Sequence, residues 1–332
     1  MPDTVPLTPV SHVNVVAVGE ELLVTWRGGS DEMSVFLSAD PDDAGTDVRA
    51  PDAPGHVALP MPRHRAYVHL FEPTQGFVVA AERRLAMDGP ANFRDLGGYP
   101  TLDDSWTRWG RVFRSDGLHA LSAADHDRML ELGISVVFDL RSDSEVEQAP
   151  DRLPAGVRHV HLPMSSDVAQ GRSMLQRILD GDLPKFDDDD MAEGYLRMLD
   201  GFPGHLAEIV SAVADGERVL FHCTAGKDRT GIAAMTLLGL AGVADPYILD
   251  DYEITSRFRA TSAEGTKWFE DQIRGAGFDP ADFTALWGSP RPVMRKTLDG
   301  LRSQWGDHDG YLRRIGVVDD IAARARVALR VD

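Results

Sequence analysis

The chain has little cysteine, little lysine and no long apolar run. Cys223 is the single cysteine among its 332 residues, which excludes an intramolecular disulfide. No segment reaches the ~20 consecutive apolar residues of a membrane-spanning helix, and residues 1–6 carry neither the basic nor the apolar segment of a cleaved signal. We therefore expect a cytoplasmic protein without a transmembrane segment, and the sequence leaves export by a signal-independent route open.

Positive charge is scarce as well. The chain has 34 Lys and Arg residues against 53 Asp and Glu residues, and its formal net charge is −19. This balance argues against nucleic acid or an anionic membrane as a partner of the whole surface. A local basic pocket would therefore stand out. Lysine occurs only at positions 185, 227, 267 and 296.

The first 86 residues differ in pattern from the rest of the chain. They consist of short β-rich runs separated by Gly, Pro and Asp, and this spacing predicts an antiparallel β-sandwich of the fibronectin or immunoglobulin type. Trp26 is the expected core aromatic. From residue 87 onward, strand-like and helix-like segments indicate an α/β fold. We therefore predict two domains, residues 1–86 and 87–332, and the sequence does not identify a partner for the first.

One short segment combines a thiol, a small-residue turn, an arginine and the start of a helix. Residues 222–231 read His-Cys-Thr-Ala-Gly-Lys-Asp-Arg-Thr-Gly and lie between an apolar strand-like run and an apolar helix-like run. Amides in a tight turn form a concave nest, and the first turn of a helix adds unpaired amides and partial positive charge. Such a junction attracts anions, and a phosphoryl group fits it.

The side chains of this segment suit phosphoryl transfer. Gly226 lets the backbone approach a ligand closely, and the planar fork of Arg229 can hold two phosphoryl oxygens. The same positive field favours the thiolate of Cys223, which is the nucleophilic form. Asp228 is the nearest acid for the leaving oxygen. The residues expected to contact phosphate are Thr224, Ala225, Gly226, Lys227, Asp228 and Arg229.

Other residues would support this chemistry or compete for a role in it. Thr230 could hydrogen-bond the sulfur, and His222 could hold the loop through its ring nitrogens. Asp228 could also be only a favourable first-turn residue, and Asp167, which follows a strand-like pattern, competes with it as the acid. Cys223 as a small buried hydrophobe would explain the thiol alone, but not the spacing of the whole segment.

Residues 222–231 resemble the phosphate-binding loop of the cysteine-dependent protein tyrosine phosphatase superfamily, in the form found in bacterial tyrosine and phosphoinositide phosphatases of broad specificity. Asn-Phe-Arg-Asp-Leu-Gly-Gly at residues 92–98 resembles the N-terminal motif of that family, and residues 137–142 resemble its Asp-Leu-Arg strand end. The resemblance covers residues 88–332. It implies a tyrosine-phosphatase-like parallel sheet flanked by helices.

The resemblance also implies roles for individual residues. Cys223 is the nucleophile, Arg229 the phosphate clamp and Asp228 the acid, while Lys227 favours more heavily phosphorylated substrates. The sequence lacks a Trp-Pro-Asp segment of the kind that supplies the mobile acid in eukaryotic tyrosine phosphatases. This departure strengthens the assignment of Asp228.

Three charged residues in the matching segments are supporting candidates. Arg94 and Asp95 are expected to form an ion pair that pins a turn beneath the loop, or else Arg94 adds positive potential at the pocket wall. Arg141 follows a strand, at the sheet edge where ligands of parallel sheets bind.

The sequence therefore predicts a phosphomonoester hydrolase that forms a phosphocysteine and acts on phosphotyrosine proteins, with phosphoserine or phosphothreonine as further substrates and without a metal or cofactor. A phosphoinositide or inositol-polyphosphate phosphatase is the alternative, supported mainly by Lys227. From another class, the protein could be a binding module that captures phosphate, although capture needs no thiolate. The aspartates at residues 187–190 are interpreted as a solvated loop or helix cap rather than a metal site.

Overall fold

The computed structural model of the chain describes residues 11–30, 32–45, 48–49, 55–164, 174–183, 185–259 and 263–331. These residues form two N-terminal antiparallel sheets, followed by a mixed sheet covered by helices. The order along the chain agrees with the change of sequence pattern near residue 87.

The N-terminal sheets pack around an aliphatic core. Their strands are β1 (Ser11–Val18), β2 (Glu21–Arg27), β3 (Ser34–Ser38), β4 (Val48–Arg49), β5 (His56–Pro60), β6 (Tyr67–Glu72) and β7 (Gly76–Ala80). One sheet has the order β1-β2-β5 and the other β4-β3-β6-β7, and all pairings are antiparallel. Successive side chains of a strand face opposite sides, so Leu22, Val24 and Trp26 of β2 are buried. They pack with Val35 and Val68 of the other sheet. The predicted β-sandwich, with Trp26 in its core, is confirmed.

The second sheet is mainly parallel. The strands that follow the sandwich are β8 (Arg94–Asp95), β9 (Trp106–Thr107), β10 (Val112–Ser115), β11 (Val136–Asp139), β12 (Arg158–His161), β13 (Val219–His222) and β14 (Arg330–Val331). The main sheet has the order β12-β11-β13-β10-β8, in which β10, β11, β12 and β13 are parallel and β8 is an antiparallel edge. Strands β9 and β14 form a separate pair. The predicted parallel sheet is confirmed, with β13 at its centre.

Most of the remaining chain is helical. The helices are α1 (Ala123–Glu131), α2 (Asp143–Gln148), α3 (Met174–Leu179), α4 (Asp188–Gly201), α5 (Pro203–Ala214), α6 (Asp228–Leu240), α7 (Asp245–Arg259), α8 (Ala263–Gly275), α9 (Thr284–Trp287), α10 (Arg291–Trp305), α11 (His308–Arg314) and α12 (Asp319–Leu329), with a 3₁₀ turn at Pro280–Phe283. Asp187 caps α4 by accepting from the amides of Asp189 and Asp190, so the aspartate run starts a helix. No helix in the described ranges is long and apolar enough to cross a membrane.

Helices cover both faces of the main sheet. Val137 and Leu220 pack on one face with Met129 of α1, whereas Phe221 belongs to the larger core on the other face, which includes residues of α4, α5 and α6. Helix α6 follows the central strand β13 and is buried along most of its length. Residues 223–227, which join β13 to α6, therefore lie at the C-terminal edge of the sheet, directly before the N-terminus of a buried helix.

Candidate active site

Gly226 occupies a position in the β13–α6 loop where no other residue fits. Its φ is +63°, a conformation that glycine adopts without the penalty a Cβ would bring. A Cβ at this position would lie 2.6 Å from the carbonyl oxygen of Ser115 and 2.8 Å from the amide nitrogen of Asp116. The loop therefore packs directly against the end of β10, and its curvature depends on this glycine.

Surrounding side chains hold the carbonyl groups of the loop. The carbonyl oxygen of Gly226 accepts from Arg114 at 2.8 Å and from the side-chain amide of Asn92 at 3.0 Å. Asn92 also donates to the carbonyl oxygen of Ala225 at 3.3 Å. Because a trans peptide places each N–H opposite its C=O, the amides that follow these carbonyls point to the other side. Outward carbonyls and inward amides are the geometry of an anion-binding nest.

Cys223 is the first residue of this loop, directly after β13. Its side chain is buried, and the preceding His222 is buried as well. Nδ1 of His222 lies 3.3 Å from the carbonyl oxygen of Cys223, and Nε2 lies 2.8 Å from Oδ2 of Asp151. The ring of His222 thus lies between the start of the loop and a carboxylate behind it. The expected hydrogen bond from Thr230 to the sulfur is not formed, since Oγ1 of Thr230 is buried and without a hydrogen-bond partner within the described residues.

Arg229 is held by Glu145, a residue that the sequence analysis did not identify. The terminal nitrogens of Arg229 donate to the two carboxylate oxygens of Glu145 at 2.6 and 2.8 Å, and the hydroxyl of Thr224 donates to the same carboxylate. Burial raises the pKa of Glu145, but hydrogen bonds and charge from Arg229 outweigh it and hold this pKa well below its usual range. The guanidinium is therefore fixed beside the loop.

A local signal for Glu145 was present in the sequence. Ser142 caps α2, and Glu145 completes the capping box by accepting from the amide of Ser142 at 2.8 Å. The pattern of Ser followed three residues later by Glu predicts a helix start. Its place shortly after β11, at the same sheet edge as the loop, would have brought Glu145 near Arg229.

Asp228 and Lys227 meet at the start of α6. Nζ of Lys227 lies 3.2 Å from Oδ1 of Asp228, and it donates to the carbonyl oxygens of Ala285 and Leu286 at 3.0 and 2.7 Å. The Lys227 side chain is buried. Oδ1 of Asp228 also accepts from the hydroxyl of Tyr195 on α4 at 2.5 Å. Tyr195 is a second residue of this site that the sequence analysis did not identify.

Comparison with known proteins identifies the family. The profile of the tyrosine phosphatase family matches residues 85–330. The chain belongs to the tyrosine phosphatase family. It is 33% identical over 246 residues to a protein of Cupriavidus necator named as a candidate tyrosine-protein phosphatase, and the match covers 73% of this chain and 87% of that protein. It is 32% identical over 273 residues to the triple specificity protein phosphatase PtpB of Mycobacterium tuberculosis, with 73% of this chain and 98% of that protein covered.

A solved structure, that of TpbA from P. aeruginosa, matches 64% of this chain and 89% of its own, with 16% identity and a TM-score of 0.28. The family assignment rests on the sequence matches, which include the loop at residues 222–231 and the segment at residues 92–98. The chain is therefore a phosphatase of the tyrosine or dual-specificity class. The sandwich lies almost entirely before the matched region.

A buried ion cluster supports the phosphatase loop from behind. Nε of Arg94 donates to one carboxylate oxygen of Asp251 at 3.0 Å, and Arg114 donates to the other oxygen. Burial raises the pKa of Asp251, but the charges of the two guanidinium groups outweigh it and hold this pKa well below its usual range. Arg94 therefore pairs with Asp251 of α7, and the expected pair with Asp95 is not formed.

Asp95 connects the phosphatase sheet to the sandwich. Its carboxylate accepts from Arg65 at 2.7 Å and from the amides of Gly97 and Gly110 at 2.7 and 2.8 Å. The guanidinium of Arg65 lies 4.8 Å from the ring centroid of Tyr67 in β6. Asp95 thus stabilises the junction between the two parts of the chain rather than pinning a turn through Arg94.

Arg141 compensates two carboxylates at the sheet edge. It donates to Asp139 at 2.7 Å and to Asp151 at 2.8 Å. The carboxylates of Asp139 and Asp151, which lie 3.7 and 3.6 Å from Nε2 of His159, raise the pKa of His159 to about 9. Asp139, Asp151 and His159 offer ligand atoms within 4.8 Å of one another, but the Arg141 guanidinium already balances much of their charge. Asp167, the competing acid, lies outside the described residues.

Proposed function

We propose that this phosphatase hydrolyses phosphotyrosine in proteins, with phosphoserine and phosphothreonine as further substrates, through a phosphocysteine on Cys223. The main support is that Cys223 begins a loop whose carbonyls bond outward, and that the guanidinium of Arg229, just after this loop, is held in place by Glu145. A phosphoryl group above the sulfur would meet inward amides and a planar cation together.

In the first half-reaction, the thiolate sulfur of Cys223 attacks phosphorus. The S–P bond forms while the bond between phosphorus and the leaving oxygen breaks, and Asp228 gives its proton to that oxygen. The loop amides and Arg229 stabilise the charge on the other phosphoryl oxygens. The N-terminus of α6 and the guanidinium of Arg229 both bring positive charge to the place where the phosphoryl group would bind.

In the second half-reaction, water attacks the phosphorus of the phosphocysteine. Asp228, now a carboxylate, takes a proton from this water while the S–P bond breaks. Inorganic phosphate leaves, and the thiolate of Cys223 and the protonated Asp228 are both restored. The same carboxyl group therefore acts as acid and then as base within one turnover.

The position of Lys227 favours phosphoprotein over phosphoinositide as the substrate. A second phosphate group on an inositol ring would need a cation that can reach it. The ammonium of Lys227 is instead bonded to two carbonyl oxygens of α9 and lies 3.2 Å from Asp228. Contact with a second phosphate would require Lys227 to leave these buried partners, whereas a single phosphoryl group requires no such change.

We also propose that residues 1–86 form a domain distinct from the phosphatase domain at residues 87–332. The sandwich has a core of its own, separate from the two cores that cover the main sheet. The family match begins only at residue 85. The role of the sandwich is therefore to be sought in binding rather than in the phosphatase reaction.

Hydrolysis of para-nitrophenyl phosphate by wild type and by Cys223→Ser tests the chemistry. We expect the variant to lose at least ~10³-fold in turnover, because serine supplies no thiolate, and to keep its affinity for inorganic phosphate, because the amides and Arg229 remain. Trapping of a covalent phosphoryl group on wild type after acid quench checks the intermediate. Unchanged turnover in Cys223→Ser would overturn the proposal.

A panel of phosphopeptides and soluble phosphoinositides then separates the substrate classes. Phosphotyrosine peptides should give the highest kcat/KM, and Lys227→Met should change the ratio between the two classes little. A preference for phosphoinositides that Lys227→Met abolishes would support the alternative. Phosphate binding without turnover of any substrate by wild type would support a binding module.

A further inference from the structure

Two buried tyrosines form an ordered hydrogen-bond chain that ends on Asp228. Tyr195 of α4 and Tyr252 of α7 are both fully buried, and their hydroxyl oxygens are 2.8 Å apart. The Tyr195 hydroxyl lies 2.5 Å from Oδ1 of Asp228. The two rings pack edge to face with a centroid distance of 6.1 Å. Two helices thus bring a pair of phenols to the first turn of α6.

The direction of each hydrogen bond follows from the protons available. Burial, and after it the Asp228 carboxylate, raise the pKa of Tyr195 well above its ordinary value, so this phenol keeps its proton. A hydroxyl has one proton, and a carboxylate is a stronger acceptor than a neutral phenol. Tyr195 therefore donates to Asp228, and Tyr252 donates to the oxygen of Tyr195. Each bond polarises the next in such a chain.

This hydrogen-bond chain engages one carboxylate oxygen of Asp228 and leaves the other available for proton transfer. Oδ1 accepts from Tyr195 and lies 3.2 Å from Nζ of Lys227. Oδ2 has no hydrogen-bond partner among the described residues, and the Asp228 side chain is 31% exposed. Oδ2 is therefore the oxygen that can exchange a proton with a substrate or with water, while Oδ1 fixes the orientation of the carboxyl group.

We propose that Tyr195, supported by Tyr252, is the positioning residue for Asp228: it fixes the carboxyl group through Oδ1 and stabilises its ionised form. This inference rests on the proposed role of Asp228 as the proton donor and acceptor. A donor on the carboxylate favours release of the acid proton in the first half-reaction and provides the ionised base for the second. The phenols themselves exchange no proton with the substrate.

Other charged groups also face this site. Nζ of Lys227 lies beside Asp228, and the guanidinium of Arg229 interacts electrostatically with both Cys223 and Asp228. Asp188 of α4 and Arg114 of β10 act on Tyr252. These groups are unchanged when only a phenol oxygen is removed, so that substitution isolates the hydrogen bond.

The test is the pH profile of Tyr195→Phe. Removal of a hydrogen bond to a charged group should move the limb of the profile that depends on Asp228 to higher pH by about one to two units. This direction holds whether the limb reports the acid or the base, since loss of the donor disfavours the carboxylate in both cases. Tyr252→Phe should move the same limb in the same direction, but less.

Tyr311→Phe is the matched control. Tyr311 is also fully buried and donates its hydroxyl to the carbonyl oxygen of Leu199 on α4 at 3.0 Å, but it does not contact Asp228. A merely structural effect of losing a buried phenol would appear in this variant too. We expect Tyr311→Phe to lower stability without moving the limb.

Asp228→Asn distinguishes failure of this inference from failure of the proposed function. The limb should vanish in Asp228→Asn, and Tyr195→Phe should add no further loss of kcat in that background. If the limb vanishes in Asp228→Asn but stays at the wild-type pH in Tyr195→Phe, the positioning role is overturned and the role of Asp228 stands. If it survives Asp228→Asn, both are overturned, while the Cys223→Ser result still decides the phosphocysteine.

Discussion

The sandwich and the phosphatase part of the chain bury different kinds of side chain. In the described part of the sandwich, the core consists of aliphatic residues, Met33 and Trp26, and the buried polar residues are His69 and Glu72. The phosphatase part buries many ionisable groups. Among them are Arg94, Asp95, Arg114, Asp139, Arg141, His222, Lys227 and Asp251.

This difference shows that the phosphatase part buries charged groups that add little stability but hold its loop in a fixed geometry. A buried ion pair is often no more stabilising than apolar residues of the same volume, although removing one partner of the pair is strongly destabilising. Several of the buried charges of the phosphatase part hold the loop or its neighbours: Arg114 bonds the carbonyl of Gly226, and Asp251 fixes Arg114. The sandwich has no such loop to hold, and its apolar core contributes by burial alone.

Among the substitutions that test this comparison, Asp251→Asn should have the largest effect on stability and turnover. Asp251→Asn leaves Arg94 and Arg114 buried without a counter-charge, so we expect the free energy of unfolding to fall by about 3–5 kcal/mol. Turnover should fall too, because Arg114 no longer holds Gly226. Urea denaturation and kcat measure both effects.

The neighbouring Asp250 provides the control for this prediction. It is 52% exposed and pairs with Arg291 at the surface, where an ion pair contributes only about 0–1 kcal/mol. Asp250→Asn should therefore change both quantities little. Equal effects at positions 250 and 251 would refute the supporting role of the buried cluster.

A cavity in the sandwich should affect stability and leave catalysis intact. Leu22 is 2% exposed in β2, and Leu22→Ala should destabilise the sandwich by about 2–5 kcal/mol. Leu23→Ala, on the next residue of the same strand, is the control because Leu23 is 37% exposed. We expect kcat for para-nitrophenyl phosphate to be unchanged in both. A fall in kcat with Leu22→Ala below its unfolding transition would mean that the two parts do not behave as separate domains.

The smallest contrast is in the pH dependence of stability. His159 of the phosphatase part and His69 of the sandwich affect it in opposite directions. The nearby carboxylates of Asp139 and Asp151 raise the pKa of His159 from 6.5 to about 9. Its contribution to stability is therefore present below pH 6.5 and is lost as pH rises through 9. Burial lowers the pKa of His69 in the sandwich, so His69 reduces stability as pH falls below 6.5.

Denaturation midpoints measured between pH 6 and pH 9.5 check this contrast. His159→Gln should remove part of the alkaline loss, by no more than about 1 kcal/mol because His159 is 37% exposed and water screens its charge. His69→Gln should leave the alkaline loss unchanged. An alkaline loss of the same size in wild type and His159→Gln would contradict the assignment.

The loop could be predicted from the sequence because its chemistry is local. His222, Cys223, Gly226 and Arg229 are close along the chain, and the apolar segments on either side show that the loop joins a strand to a helix. The sandwich was predictable for a similar reason, since the alternation of apolar and polar residues within each short strand marks the side of the strand that is buried. Both predictions depend on neighbours in sequence.

The partners of the loop were not predictable in this way. Arg94 and Asp251 are 157 residues apart, and Tyr195 and Asp228 are 33 residues apart. The Asn-Phe-Arg-Asp motif showed that Arg94 and Asp95 matter, but their adjacency suggested a pair with each other. In the folded chain, neighbouring residues of strand β8 face opposite sides, so Arg94 reaches α7 and Asp95 reaches Arg65.

The sequence by itself determined the thiol, the arginine, the glycine turn between them and the apolar elements that flank them. Tertiary structure decided which carboxylate fixes Arg229, which phenol fixes Asp228 and which charges lie buried behind the loop. The physical reason is that backbone conformation and periodicity are set by nearby residues, whereas a buried hydrogen bond or ion pair requires two distant segments to be packed within about 3 Å of each other.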